Sequence, residues 1–379
     1  MPKRILALFL LLLLTACRAG DAGEPRTFLD DVRRSHALAE NWFVQQVRDK
    51  GIFRYIYHPK TGEYPDQNNA IRQLMAARLL AELSRERPEL LPLHRRNLAF
   101  VMQHWYRERD DVGSVLYDDE SKLGANALLL RTLLESPDAA QYGTQAAKLK
   151  NGILSLIQSD NSFHPFLVEP RDPYDKDYFL TFYSGEALLA LAEYARAEED
   201  KDVLARTIAV QDFYIDRYVA HLDEHYYPAY VPWHTQSLSL LWKMTGERKY
   251  ADAIFVLNDK LLELQDTTKY IGRFFDPATP QYGTPHSSSD GVYTEGLAYA
   301  YEAATVLGDT ARQQRYRRAM ELSVRNLLSL QYTADTASRY EHPDRVIGAF
   351  KFDRDRSGIR IDSTQHVMDA YRKMLEVFE

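Results

Sequence analysis

Four carboxylic acids, Glu186, Asp290, Glu295 and Asp362, sit where a polar or aromatic segment gives way to small and apolar residues. Burial at such a junction raises a carboxyl pKa, which is what a general acid working near neutrality requires. Two carboxyls facing one another across a cleft suit glycosidic hydrolysis, and their separation decides between retention and inversion. The same positions also suit helix-start electrostatics for the glutamates and N-terminal capping for Asp290 and Asp362. Around the acids stand residues able to bind hydroxyls and sugar faces: Tyr64, Asp66, Asn68, Asn69, Asp118, Tyr183, Trp233, His234, Gln236 and Tyr293. Arg360, Gln365 and His366 complete the set, with Asp362, Gln365 and His366 on one helical face. An Arg360–Asp362 pair suits either an anionic substrate group or a structural salt bridge. A histidine base with a tyrosine acid, for instance His234 with Tyr293, would instead suit β-elimination from a uronic acid.

These residues recur because the chain repeats. Six junctions between an aromatic-rich loop and a small-residue helix follow one another at intervals of roughly 50 to 65 residues. Helices with mixed charged faces are expected near 30–50, 89–107, 138–158, 200–220, 247–265 and 309–332. Helices richer in Ala, Gly and Leu alternate with them, near 67–86, 121–135, 183–197, 233–245, 293–307 and 363–378. The run Gly185-Glu186-Ala187-Leu188-Leu189-Ala190-Leu191-Ala192 is apolar on nearly every side, as a helix buried all round must be. Twelve alternating helices make six hairpins, and the expected fold is all-α, an (α/α)6 toroid over residues 26–379. Its funnel would bring the six junctions together.

The leader carries the sharpest motif. Lys3 and Arg4 precede an apolar run, Ile5–Leu14, too short for a stable bilayer span. Leu14-Thr15-Ala16-Cys17 resembles the bacterial lipoprotein box. That resemblance implies a signal peptide at 1–16, lipidation of Cys17, a short tether over 17–25 and a membrane partner through the acyl chains. Arg18 in place of Asp points to an outer-membrane protein facing the periplasm. Cys17 is the only cysteine, so no disulfide forms.

Removal of Lys3 and Arg4 with the leader takes the formal charge from −7 to −9. With no basic block left, nucleic acid is excluded as a partner. The histidines are scattered without a metal-binding spacing, so no metal and no cofactor is expected. No nucleophile elbow and no glycine-rich phosphate loop occur. The chain holds 25 tyrosines, an excess that fits both helix packing and ligand stacking.

Leu241-Trp242-Lys243-Met244-Thr245-Gly246-Glu247-Arg248-Lys249-Tyr250-Ala251-Asp252 resembles a helix-to-helix joint of the six-hairpin toroid superfamily. Tyr183-Ser184-Gly185-Glu186-Ala187-Leu188-Leu189-Ala190-Leu191 resembles an inner-helix start of the same group. That superfamily includes N-acylglucosamine 2-epimerase-like proteins, glycoside hydrolases and polysaccharide lyases. The resemblance implies an envelope lipoprotein acting on a polysaccharide or other envelope polymer, by hydrolysis or by lyase or epimerase chemistry. The alternative is a non-catalytic toroid that binds such a polymer or scaffolds its export.

Overall fold

The computed structural model describes residues 27–379; the leader, Cys17 and the tether expected from the sequence lie outside them. The helices are α1 (Phe28–Val44), α2 (Ala70–Glu86), α3 (Leu91–His104), α4 (Leu123–Glu135), α5 (Gly143–Leu154), α6 (Lys176–Ala197) and α7 (Lys201–Ile215). They continue with α8 (Leu222–His225), α9 (Tyr230–Thr245), α10 (Arg248–Leu262), α11 (Ser287–Val306), α12 (Thr310–Leu330), α13 (Ala334–Ala337) and α14 (Ile361–Phe378). Setting aside the single-turn α8 and α13, α1, α3, α5, α7, α10 and α12 form an outer layer. The other six pack side by side in the closed order α2–α4–α6–α9–α11–α14–α2. The protein is an (α/α)6 toroid. No described helix is long and apolar enough to cross a membrane.

Composition sorts the two layers. In α10, Tyr250, Ala251, Ile254, Phe255, Leu257 and Leu261 form one buried stripe and the remaining face is charged. In α4 every residue from Leu123 to Leu133 is buried, so no polar face is left to solvent. Glycines set how closely inner helices approach. A Cβ on Gly185 of α6 would lie 2.5 Å from Trp233 Cβ and 2.8 Å from His234 N on α9. One on Gly291 of α11 would meet the His366 backbone of α14 at 2.9 Å. Gly185→Ala is therefore expected to cost about 1–3 kcal/mol through overpacking, read as a lower denaturation midpoint at unchanged slope. A midpoint equal to that of the parent chain would show that α6 and α9 can part freely.

The ring is sealed by sheet as well as by helix. The strands are β1 (Ile56–Tyr57), β2 (Tyr106–Arg109), β3 (Val112–Val115), β4 (Ser121–Lys122), β5 (Phe166–Val168) and β6 (Ile359–Arg360). β1 pairs antiparallel with β6, Ile56 opposite Arg360 and Tyr57 opposite Ile359. Since β1 precedes α2 and β6 precedes α14, this pair ties the first repeat to the last. It lies at the end of the toroid where the inner helices begin.

Three inner helices start earlier than the sequence pattern suggests: α6 at Lys176, α9 at Tyr230 and α11 at Ser287. Tyr178, Phe179 and Phe182 belong to the first turns of α6, opened by Asp175, whose side chain accepts from the Asp177 and Tyr178 amides. Glu186 and Glu295 consequently lie in the third turns of their helices. First-turn electrostatics does not account for them.

Candidate active site

The inner-helix starts and the long segment between α10 and α11 enclose a cavity of about 450 Å³. That volume is within the range of small-ligand sites. Its floor is made by Arg72 of α2, Tyr183 and Glu186 of α6, Trp233 of α9, Tyr293 of α11, and Asp362 and His366 of α14. Tyr178, Phe179, Phe182, Tyr227, Phe275 and Tyr282 give it aromatic walls. Tyr282 meets Tyr226 and Tyr227 edge-on at 5.7 and 5.6 Å, closing the segment over the mouth.

Glu186 is 2% exposed, and its Oε2 has no hydrogen-bond partner among the described residues. Burial pushes its carboxyl up to about 8, against the pull of Arg131. It is therefore protonated at neutral pH. A Cβ on Gly124 of α4 would stand 2.4 Å from Oε2, so the glycine makes room for the carboxyl.

Asp362 is 3% exposed but has the opposite character. Arg360 donates to it from Nε at 2.6 Å and from Nη2 at 2.7 Å, Arg72 Nε at 3.0 Å, and Ser288 Oγ at 3.1 Å. Burial pushes its pKa upward, yet Arg360 and Arg72 hold it well below the carboxylate range. Two guanidiniums around one carboxylate leave that corner with a net positive charge. Both imidazoles of the cavity are neutral, burial pushing His366 down to about 4 and His286 to about 3. His286 Nδ1 accepts the Ser289 amide at 3.1 Å, which places the ring proton on Nε2. The His366 ring lies 5.9 Å from Trp233, and its buried Nδ1 has no partner among the described residues.

Of the residues singled out from the sequence, Asn69, Tyr183, Glu186, Trp233, Tyr293, Arg360, Asp362 and His366 line the cavity. The others do not. Asp290 is wholly buried behind the wall, where its Oδ1 accepts the Phe274 amide at 3.2 Å. It is the fourth residue of its helix, and the fourth residues of α2, α4 and α14 do the same work. Gln73 accepts from Phe53 N at 3.0 Å, Asn126 from Val115 N at 2.7 Å and Thr364 from Phe350 N at 3.3 Å. Asp290 thus holds a repeat-internal joint and is removed from the acid–base set.

His234 has both ring nitrogens occupied, by Ser184 Oγ at 2.9 Å and Gln211 Nε2 at 3.3 Å, and ties α6, α7 and α9 together. Gln236 is buried within α9 away from the cavity. Gln365 donates to Asp369. Asn68 accepts from Gln73 at 2.8 Å. Tyr64 packs outside against Tyr57, the tilted rings 4.6 Å apart, and Asp66 and Asp118 are on exposed loops.

Glu295 lies deeper, in a charged core beneath the cavity. Arg78 binds Asp369 at 2.8 Å, Glu82 at 3.1 Å and Glu135 at 3.4 Å, while Arg131 binds Glu193 at 2.8 Å. Burial and the Asp369 charge push Glu295 up to about 8. Each of Glu295, His366 and Asp369 offers one ligand-type atom within 4.8 Å of the others. Arg78 already occupies Asp369, and its charge opposes a cation there. Glu295 and Asp369 thus form a pair of buried titratable groups beneath His366.

The sequence pattern passed over Arg72, His286 and Ser288. Arg72 had a local signal, since it stands three residues after the N-cap Asn69, whose side chain accepts the Arg72 amide at 3.2 Å.

No protein-family profile and no characterised protein sequence matches the chain. Solved structures do. A D-mannose isomerase superposes with a TM-score of 0.65 at 13% identity, over 93% of this chain and 98% of that one. The α-1,6-mannanase of Salegentibacter sp. gives 0.66 at 12%, over 92% and 100%. Cellobiose 2-epimerase of Bacillus thermoamylovorans gives 0.64 at 10%, over 91% and 99%. What they share is the fold. At these identities they do not assign the reaction.

Proposed function

We propose that this chain is a carbohydrate-active enzyme that hydrolyses a glycosidic bond in the central cavity, with Glu186 as general acid. The observation that carries the reading is the opposition of two cavity carboxyls, one held protonated by burial and one held ionised by arginines. Environments that push two carboxyls apart in this way mark an acid and its partner. Glu186 would give its proton to the leaving glycosidic oxygen. The ionised Asp362 would supply the second carboxyl of the pair, kept as a carboxylate by Arg360 and Arg72. Aromatic side chains on the walls suit the C–H faces of sugar rings. The structural neighbours support the reading as far as their names go, since they include a mannanase, an epimerase and an unsaturated glucuronyl hydrolase. We place the enzyme at the bacterial cell envelope, held by a lipid on Cys17.

One observation favours a second reading, isomerisation or epimerisation of a free sugar. Two neutral imidazoles, His286 as a donor and His366 with an unpartnered ring nitrogen, share the same cavity. The full chain incubated with neutral and acidic oligosaccharides separates the two, with products followed by proton NMR. Shorter products with one anomeric form produced first would establish hydrolysis. Conversion without a change of length, lost in His366→Gln and kept in Glu186→Gln, would replace it with isomerisation. Asp362→Asn is expected to lower kcat/KM by at least about a hundredfold, because it removes the second carboxylate of the pair and leaves the Arg360 and Arg72 guanidiniums unpaired beside the substrate. An Asp362→Asn enzyme of normal kcat/KM would remove Asp362 from the mechanism.

A further inference from the structure

A second cavity, of about 440 Å³, opens beside the first and belongs to none of the chemistry above. It is lined by Lys60 from the turn after β1, Arg339 and Tyr340 from the segment after α13, and Lys351, Arg354 and Ser357 from the loop before β6. Since β1 pairs with β6, this cavity and the central one open at the same end of the toroid.

The cavity is built from held parts. The loop carrying Lys351 to Ser357 is pinned by the Phe352 amide on Gly358 O at 2.8 Å and by Tyr332 Oη on Ser357 O at 2.6 Å. Lys351 stands over the Tyr332 ring at 5.2 Å and Arg339 over the Tyr340 ring at 5.3 Å.

Its charge is unbalanced. Lys60, Arg339, Lys351 and Arg354 have no carboxylate within 4.0 Å among the described residues, and Arg354 has only Asn326 Oδ1 at 3.5 Å. Two acids, Glu341 and Asp355, also border the cavity, but neither pairs with these cations, and the Glu341 side chain is 84% exposed. Burial and the Arg339 charge hold the Lys351 amine below its ordinary value. Cations left facing one another around a concave, aromatic-edged space are complementary to an anion.

Phe352 links the linings of the two cavities. Phe352 is the neighbour of Lys351; its ring lies 4.6 Å from the His286 ring and 5.0 Å from the Arg360 guanidinium. His286 and Arg360 both line the central cavity. A chain that left the central cavity past Arg360 and Phe352 would run toward the loop that carries Lys351.

We propose that the second cavity is a subsite for an anionic group, a carboxylate or sulfate, of an acidic glycan whose reacting sugar occupies the central cavity. The inference rests on the reading of the central cavity as a sugar site and extends it to a substrate class. Length and charge of the substrate then act together, because the second contact is intramolecular once the first is made.

The test is calorimetric titration of the full chain with a diuronide and a hexauronide at low and moderate salt, for the wild type and for Lys351→Gln/Arg354→Gln. The wild type is expected to bind the hexauronide at least about tenfold more tightly than the diuronide, an advantage that shrinks with salt. The double variant is expected to lose that advantage and keep its diuronide affinity. Arg339→Gln, read in the same way, replaces the double variant if the latter does not fold. A length advantage that survives the substitutions overturns the subsite and leaves the central-cavity reading standing. So does inorganic sulfate binding that depends on Lys351 and Arg354 without any length advantage, which would make this a small-anion site. Failure of both uronides to bind the wild type overturns the subsite; failure of neutral oligosaccharides as well overturns the sugar reading with it.

Discussion

Glu186→Gln is expected to abolish turnover while making the folded protein more stable at alkaline pH. The activity loss follows from chemistry. Glutamine keeps the shape of the protonated acid but has no proton to give to a leaving oxygen, so kcat should fall by about 10²–10⁴-fold. The stability gain follows from linkage. The carboxyl titrates at about 8 in the folded chain against an ordinary value of 4.5, because burial penalises the charged form. Folding therefore binds its proton more tightly. The stability this contributes is complete below about 4.5 and is lost as pH rises through about 8. An uncharged amide does not incur this loss, so the melting temperature of the variant should exceed that of the parent by a margin that widens from pH 5 to pH 9. Wild-type activity should fall over the same alkaline range as the acid loses its proton. Thermal melts across that range, with turnover measured on the same samples, check both arms. A variant less stable at every pH would mean that Oε2 has a partner the folded chain relies on. An active variant would remove Glu186 as the acid.

The two halves of this expectation differ in how far the sequence alone could carry them. The ring was legible because small-residue helices and aromatic junctions alternate six times, and a period that long has few architectural solutions. Glu186 and Asp362 were legible as acids at junctions. Their opposite charge states were not, because these depend on Arg72, 290 residues before Asp362, and on the space left by Gly124. The aromatic first turns of α6 were misplaced for a physical reason. Tyr and Phe are weak helix formers, and the tertiary contact of Phe179 with Phe166 of β5, at 5.1 Å between rings, overrides that propensity. Asp290 shows the converse limit. Its residue type and position fit a catalytic acid, and only the matching contacts of Gln73, Asn126 and Thr364 reveal a structural joint. The closing β1–β6 pair spans the whole chain in two residue pairs, too short to leave a periodic signal.

The largest stability effect should come from Arg78→Met, beneath the active site and without contact to it. Arg78 is 8% exposed and holds Asp369, Glu82 and Glu135 at 2.8 to 3.4 Å, joining α2 to α14 and α4. Methionine fills much of the same volume but leaves the buried Asp369 without its ion-pair partner and takes one cation each from Glu82 and Glu135, which keep Arg372 and Arg131. Breaking one side of such a buried network costs about 3–5 kcal/mol, more than the aliphatic stem can return. The pH dependence has a definite sign. Burial raises the Asp369 pKa, but Arg78 and His366 hold it below its ordinary value of 3.8, so its stabilisation is present above that value and is lost as pH falls through the folded one. The deficit of Arg78→Met should therefore be greatest near neutrality and shrink in acid, where the carboxyls take up protons. Adding Asp369→Asn should recover part of the loss, as contacting residues of one network do not act additively. His366 supplies a functional readout. Arg78 helps hold its imidazole neutral, so losing the guanidinium should raise the His366 pKa and shift the acid limb of the activity profile upward. Denaturant titrations at pH 5 and pH 7 on the single and double variants decide the matter. A single variant within about 1 kcal/mol of the parent at both would show that water reaches these acids and that the ring is not closed by this network.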